Sequence, residues 1–490
     1  MVKAKYIRHP NSALRGNPLI EGLGYPLSRT QLHECCNRSF VRDLDLNEVP
    51  VELHGYYIRS LLNNLLDVHI CQDEMIEVYE TIRQSIEVGY RKRNPLDPDH
   101  QRLLAAIERD KDSPLKAQNI KRLNLLGDSF SYLLCGLSGR GKTSMIHIAL
   151  NHIDQVIEHD EYVDLDNNTV ALSFTQVTYV YIQHHDRRGQ KALLISILEA
   201  IDEETNEGYA YGNRNSSVKD LINSVRKAVI LHGIATIIID EAQNFASSPK
   251  DVKIGTNEKT SMKFVEEIFN TIGASLIFVG TFSTLELFSK EVTITRRTIR
   301  HGSMTLASCD VEGSFWKRLC NEILVTDLLA GASDDHVSLR QHVHYLSAGI
   351  PAIAVSLVNS TLSYLTYNTP ENQTLTISAL DYVFDKQFSL LREPIRALHE
   401  GNYHQFEDLK PMLLLEKANP KNKTEEQIRG IQVQAQEMEA RLHQKQTNLL
   451  SGFVQMPSAE KPTPKYEVDA TKESEALSPT NFISLLGGNS

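Results

Sequence analysis

The sequence predicts an α/β fold: a P-loop nucleoside-triphosphatase core with a parallel sheet, a helical or mixed adaptor before it, and a helical lid and polar tail after it. Three observations predict this. Gly136-Leu137-Ser138-Gly139-Arg140-Gly141-Lys142-Thr143 spells a complete phosphate-binding loop, with the apolar run Tyr132-Leu133-Leu134-Cys135 before it and the helix-like Ser144-Met145-Ile146-His147-Ile148-Ala149-Leu150 after it. Further on, the β-branched run Ile237-Ile238-Ile239 ends in the adjacent acids Asp240-Glu241, the pattern of a strand buried on both faces of a parallel sheet. Beyond Phe315 the apolar spacing turns helical.

The loop has the chemistry that a polyphosphate requires. Its glycines let backbone N–H groups turn inward, and the following helix N-terminus adds partial positive charge. Gly136, Ser138, Gly139, Arg140, Gly141, Lys142, Thr143 and Ser144 form the expected nucleotide-binding set. Lys142 is expected to reach the β and γ phosphates of ATP, and the Thr143 hydroxyl to ligate Mg²⁺. The acids close the same site, because open α/β sheets bind ligands at the carboxyl ends of their strands. Asp240 is the expected second Mg²⁺ holder. Glu241 is the expected base that polarises a water for attack on the γ-phosphate.

The remaining chain arranges itself around this core. Residues 1–110 lack a βα rhythm and carry helical spacing over 51–90, which suits an adaptor. The core runs over 111–310, with strands expected at 132–135, 177–183, 236–239 and 276–279. Helices are expected at 315–329, 338–346, 352–365 and 378–398, a lid over 311–415. Residues 416–490 comprise a polar helix-like run at 424–449, a disordered Pro-, Ser-, Lys- and Glu-rich linker at 456–479, and a short apolar end, Asn481-Phe482-Ile483-Ser484-Leu485-Leu486. That end reads either as a docking peptide or as an unstructured terminus.

With 41% hydrophobic and 23% charged residues, the composition is that of an ordinary soluble protein. A net charge of −11 argues against wholesale coating by nucleic acid, but leaves room for a local basic surface. The six cysteines show no C-x-x-C and no regular framework, so they read as reduced thiols in a cytoplasmic protein. No secretory signal and no long apolar run is expected to engage a membrane.

A strand between the two motif strands, and a fourth ending in Gly280-Thr281, fits the AAA+ arrangement, in which a polar residue at Thr281 senses the γ-phosphate. Arg296, Arg297 and Arg300 follow. One of them, Arg297 or Arg296, can serve as an arginine finger in a neighbouring subunit's site; the alternative is a solvated basic face.

Beyond these motifs the chain resembles the TnsC family of AAA+ transposition regulators, related to TniB. Asn17-Pro18-Leu19-Ile20-Glu21-Gly22-Leu23 is similar to the family's N-terminal Asn-Pro stretch, and Gly89-Tyr90 with Arg93-Asn94-Pro95 to its second Asn-Pro segment. Asp240-Glu241-Ala242-Gln243, Val279-Gly280-Thr281 and Arg296-Arg297 match in place. The resemblance covers roughly residues 10–410. It departs at Gly349-Ile350-Pro351-Ala352-Ile353-Ala354, which lacks a sensor-2 arginine and so implies slow, switch-like hydrolysis. It also departs at Phe282, where a relative has proline.

The resemblance implies ATP-dependent assembly of a homo-oligomeric ring, hexamer or heptamer, or a filament around double-stranded DNA. Transposase subunits and a target-selection protein or RNA-guided targeting complex would be its partners, and hydrolysis would drive disassembly. Loops facing the pore would then touch DNA. The best candidate is His184-His185-Asp186-Arg187-Arg188-Gly189-Gln190-Lys191, whose Arg187, Arg188 and Lys191 suit sequence-independent phosphate contacts or a solvated loop. Arg91-Lys92-Arg93 is a second basic patch with the same two readings. The alternative function is an AAA+ replication initiator or helicase loader, although the polar tail lacks the signals of a winged helix.

Overall fold

Five parallel strands make the central sheet, in the order β5-β6-β7-β2-β8. They are β2 (Ser131–Gly136), β5 (Tyr179–Gln183), β6 (Thr236–Asp240), β7 (Ser275–Gly280) and β8 (Ser303–Leu306). This is a computed structural model, and it describes residues 1–109, 130–184, 189–245, 264–265, 267–268, 271–289, 295–297, 299–331, 333–402 and 406. The arginines Arg187 and Arg188 and the whole of 416–490, with its polar run, linker and apolar end, lie outside the described residues.

Every residue of β2, β6 and β7 is buried. These strands can therefore be apolar throughout, because helices cover both faces of the sheet. On one face the helices Gln190–Thr205 and Val218–Leu231 pack through Leu194, Ile197, Val225 and Val229 against Ile237, Ile239 and Phe278. On the other, the P-loop helix Lys142–Leu150 and the long helix Asp73–Tyr90 pack against Leu134, Ile238, Ile277 and Val279.

The strand expected over 177–183 is two elements. Val177 ends β4 (Thr169–Val177), and β5 begins after Thr178, whose hydroxyl donates to the Asp154 carbonyl at 2.7 Å. β4 pairs antiparallel with β3 (Val156–Val163), and β1 (Val2–Lys3) joins β3 in parallel to complete a small second sheet. The fifth strand of the main sheet, β8, was not expected. It has four residues, alternately exposed and buried, too few to stand out from a loop.

Residues preceding the main sheet divide between two cores. Leu19, Ile20, Met75 and Ile82 belong to the core under the sheet. Phe40, Leu61, Leu62 and Leu65 belong instead to the helical core of the C-terminal part, with Trp316, Leu319, Leu357 and Val358. That part comprises helices Ser314–Ile323, His336–Ser347, Pro351–Leu365, Ile377–Gln387 and Arg392–His399. The single helix expected over 378–398 is thus broken, at Phe388, where a short 3₁₀ turn intervenes. Among the described residues no single helix is long and apolar enough to cross a membrane.

Candidate nucleotide-binding site

Gly136 ends β2 against β8. A Cβ there would stand 2.3 Å from the Leu306 carbonyl oxygen, so only glycine allows this approach. The loop then turns through Gly139 and Gly141, with φ of 79° and 93°, the left-handed conformations that glycine adopts without strain. Lys142 begins the following helix. Its side chain is buried, with Nζ donating to the carbonyls of Gly136 and Leu137 at 2.9 and 3.0 Å, so the ammonium lies within the loop. Ser138 and Ser144 are exposed.

Arg140 behaves differently from its neighbours. Its guanidinium turns away, donating to the Ala307 carbonyl at 2.9 Å and to Gln72 Oε1 at 3.3 Å and stacking near Phe315. Its remaining terminal nitrogen is buried without a hydrogen-bond partner. There it borders a cavity of about 500 Å³, lined also by Thr305, Asp310, Trp316 and Arg318.

The acids sit where the sheet brings them beside the loop. Thr143 Oγ1 donates to Asp240 Oδ2 at 2.7 Å, and Tyr181 OH donates to the same oxygen at 2.9 Å. Burial, then the charges of Asp240 and Glu241, push the Tyr181 phenol well above its ordinary value, which keeps it a donor at neutral pH. Glu241 adopts φ 59°, a left-handed conformation that costs a residue with a Cβ about 1 kcal/mol. Its amide donates to Asp240 Oδ1 at 2.8 Å, which holds the turn.

Gln243 ties the acids to the end of β7. Its amide nitrogen donates to Glu241 Oε2, while its Oε1 accepts from the Thr281 amide at 3.2 Å and the Thr284 hydroxyl at 3.4 Å. Gly280 leaves room for this: a Cβ there would stand 2.7 Å from Gln243 Oε1 and 2.1 Å from Thr284 Oγ1. Sequence reasoning noted Gln243 only as part of a motif and passed over Tyr181. Nothing in local spacing signals either role, since both depend on which strands are neighbours.

The lid touches the loop through backbone. Ala352 N, in the first turn of Pro351–Leu365, donates to the Gly139 carbonyl at 3.2 Å, and a Cβ on Gly139 would meet Ile350 at 2.9 Å. The stretch lacking a sensor-2 arginine is therefore in direct contact with the phosphate-binding loop.

Arg296 is exposed and Arg297 half-buried. The Arg297 carbonyl accepts from Ser131 Oγ, at the start of β2, whereas the P-loop lies at its end. Five residue steps along β2 separate these ends by roughly 17 Å, which removes both arginines from the chain's own loop. Lys191 is exposed in the first turn of Gln190–Thr205, after the edge strand β5. His184 is buried, its amide donating to the Asp240 carbonyl at 3.0 Å and its carbonyl accepting from Asn244 at 2.7 Å, so this histidine brackets β5 to β6.

The two Asn-Pro segments bind each other. Asn17 Nδ2 donates to the carbonyls of Tyr90 and Arg93 at 2.9 and 3.4 Å, and Asn94 Nδ2 to that of Gly16 at 3.1 Å. Arg93 is buried, donating to Ile234 O at 2.7 Å and Gly273 O at 2.6 Å beneath the sheet. The basic patch read at Arg91-Lys92-Arg93 therefore loses Arg93. Gly89 lets its helix approach the sheet, since a Cβ would stand 2.6 Å from the Ala235 carbonyl oxygen.

The donor set fits Mg²⁺ and a nucleoside triphosphate: an ammonium inside a loop with two left-handed glycines, and a hydroxyl and carboxylate already in contact. Residues 128–288 match the model of an AAA domain. No curated protein matches the sequence. Solved structures similar to this chain include a Walker-type ATPase of Pyrococcus abyssi, at 12% identity over 59% of this chain and 77% of that one, with a TM-score of 0.31. They also include the Aeropyrum pernix ORC2 protein in ADPNP–ADP complexes, at 13% identity over 66% of this chain and 79% of that one, with a TM-score of 0.33. The sheet order and the match over residues 128–288 give this region the P-loop fold of an AAA domain.

Proposed function

We propose that this chain is an ATP-hydrolysing AAA+ switch that assembles on duplex DNA and there recruits and activates a transposase, hydrolysis releasing the assembly. The observation that carries the nucleotide half is the Thr143–Asp240 contact beside Lys142. Lys142 would bind the β and γ phosphates, while Thr143 and Asp240 would hold Mg²⁺, which supplies charge neutralisation at the phosphate oxygens. Glu241, oriented by Gln243, would take a proton from the attacking water. The cavity beside Arg140 has room for a base and sugar.

The transposition half rests on the family resemblance. Its most specific residues, Asn17, Tyr90, Arg93 and Asn94, form one interlocked set of hydrogen bonds beneath the sheet. They support the resemblance as a shared way of docking the N-terminal segment, and they are not themselves a DNA-reading surface. Arg187, Arg188 and Lys191 remain the proposed DNA contacts, and Arg297 or Arg296 the proposed finger across a subunit interface.

The test is capture, on immobilised duplex DNA of arbitrary sequence with ATP, of a transposase by this protein. Retention of transposase only when both ATP and this protein are present supports the reading. Retention of a replicative helicase in its place would assign the chain to replication initiation, which uses the same core. Changing Arg187, Arg188 and Lys191 together to Ala should weaken DNA binding equally for all sequences and flatten its salt dependence, by about 0.9 log unit per lost phosphate contact.

A further inference from the structure

Two thiols and an imidazole from separate parts of the chain meet behind the P-loop helix, with a third thiol, Cys71, bordering them. Cys35 and Cys36 end the helix Arg29–Cys36. Just beyond, Arg38 and His69 pair as an antiparallel bridge, N–H to carbonyl at 2.8 and 2.9 Å, which carries Cys71 back beside Cys36. The Cys71 amide donates to Asn37 Oδ1 at 2.8 Å, and this fixes its place. His152 follows the P-loop helix by two residues, near the negative end of the helix dipole.

The sulfurs of Cys35 and Cys36 and one ring nitrogen of His152 lie within 4.8 Å of one another. The two sulfurs are 3.7 Å apart. A disulfide would bring them to about 2.05 Å, whereas two thiolates at about 2.3 Å from a tetrahedral Zn²⁺ stand roughly 3.8 Å apart. The buried Cys71 thiol, which donates to the Gln72 carbonyl at 3.9 Å, lies outside that group but borders Cys36, and a change of its rotamer would offer a fourth ligand. We propose that Cys35, Cys36, Cys71 and His152 form a closed structural Zn²⁺ site tying the N-terminal segment to the end of the P-loop helix.

Binding would release three thiol protons and leave three thiolates, one neutral imidazole and the dication, a net charge of −1. A cation stands ready to balance it: Arg318 donates to the Cys71 carbonyl at 3.2 Å and to Asn37 Oδ1 at 3.1 Å. Arg318 belongs to the first helix of the C-terminal part, so the site would join three segments of the chain. Closed Cys₃His sites of this kind act by adding folding free energy rather than by chemistry.

The test uses the full chain purified without chelator, its metal content measured by mass spectrometry and its Co²⁺-substituted form by absorption. The expected result is one zinc per chain, thiolate-to-cobalt charge-transfer bands, and a Tm that falls with chelator and recovers with Zn²⁺. Cys35→Ser, at the exposed edge of the site, and His152→Ala should each lose metal, while Cys309→Ser, a buried thiol elsewhere, should keep it. Zinc below about a tenth of an equivalent after supplementation would overturn the proposal. So would zinc content unchanged by Cys35→Ser and His152→Ala, or a Cys35–Cys36 disulfide in freshly isolated protein. Cobalt titration of the unaltered protein decides the matter even if a variant fails to fold.

Discussion

Thr143 and Asp240, 97 positions apart in the chain, meet hydroxyl to carboxylate at 2.7 Å. Thr143 opens the helix that follows β2 and Asp240 ends β6, and these strands are not neighbours, because β7 runs between them. The contact therefore spans the end of β7, where Gly280 removes a side chain and Gln243 fills the gap. In the proposed function, nucleotide binding and hydrolysis would depend on this joint closure of three strand ends.

Glu241→Gln should keep ATP affinity and slow hydrolysis by about 10²–10⁴-fold, since an amide cannot take a proton from water. Gln243→Ala should slow it by roughly tenfold through lost orientation of Glu241. Single-turnover hydrolysis with a parallel titration of ATP affinity checks both. A Gln243→Ala protein with unchanged turnover would remove Gln243 from the catalytic arrangement.

Arg297→Ala, or Arg296→Ala if its neighbour is the finger, should leave a single subunit able to bind ATP but lower turnover in the assembly. Arg297 is anchored at the start of β2, away from its own P-loop, so a finger there would have to act in trans. A mixture of the finger variant with Glu241→Gln should recover part of the activity that neither has alone. No recovery at any mixing ratio would contradict a shared site.

Arg93→Ala should destabilise the fold by about 3 kcal/mol, because the carbonyls of Ile234 and Gly273 each lose a charged donor in a buried setting. Urea denaturation measures this. An unchanged midpoint would show that Arg93 does not hold the N-terminal segment to the sheet.

Stability should also fall in mild acid through His100. Burial first, then the Arg93 charge, lowers its folded value from 6.5 to about 4. The unfolded chain therefore binds the proton more readily, so this contribution is complete above pH 6.5 and is lost as the pH falls toward 4. The loss should approach roughly 3 kcal/mol, and His100→Leu should flatten the pH dependence across that window. A parallel slope in the variant would assign the effect to other groups.

The parts legible in sequence were those with strong local signals. Three of the four expected strands, and the helices beginning at Ser314, His336 and Pro351, start within two residues of their expected positions, because a buried parallel strand or an amphipathic helix declares itself by periodicity. The break at Thr178 and the short β8 were not legible, since each depends on pairing with distant chain. The same limit applies to the site. Lys142, Thr143 and Asp240 announce themselves by type and spacing, whereas Tyr181 and Gln243 matter only because β5, β6 and β7 are adjacent. Arg93 reads as surface charge until its two carbonyl partners are seen.

The most direct test of an ATP-gated assembly on DNA is electron microscopy of the Glu241→Gln protein with ATP and duplex DNA, beside Lys142→Ala under the same conditions. Lys142→Ala should bind ATP at least roughly 100-fold more weakly, having lost a charged donor to the phosphates. Glu241→Gln should form closed or helical multi-subunit particles around the duplex that persist with ATP, and Lys142→Ala should form none. Glu241→Gln protein that stays monomeric on DNA in saturating ATP, or that binds DNA equally with and without nucleotide, would contradict the proposed function.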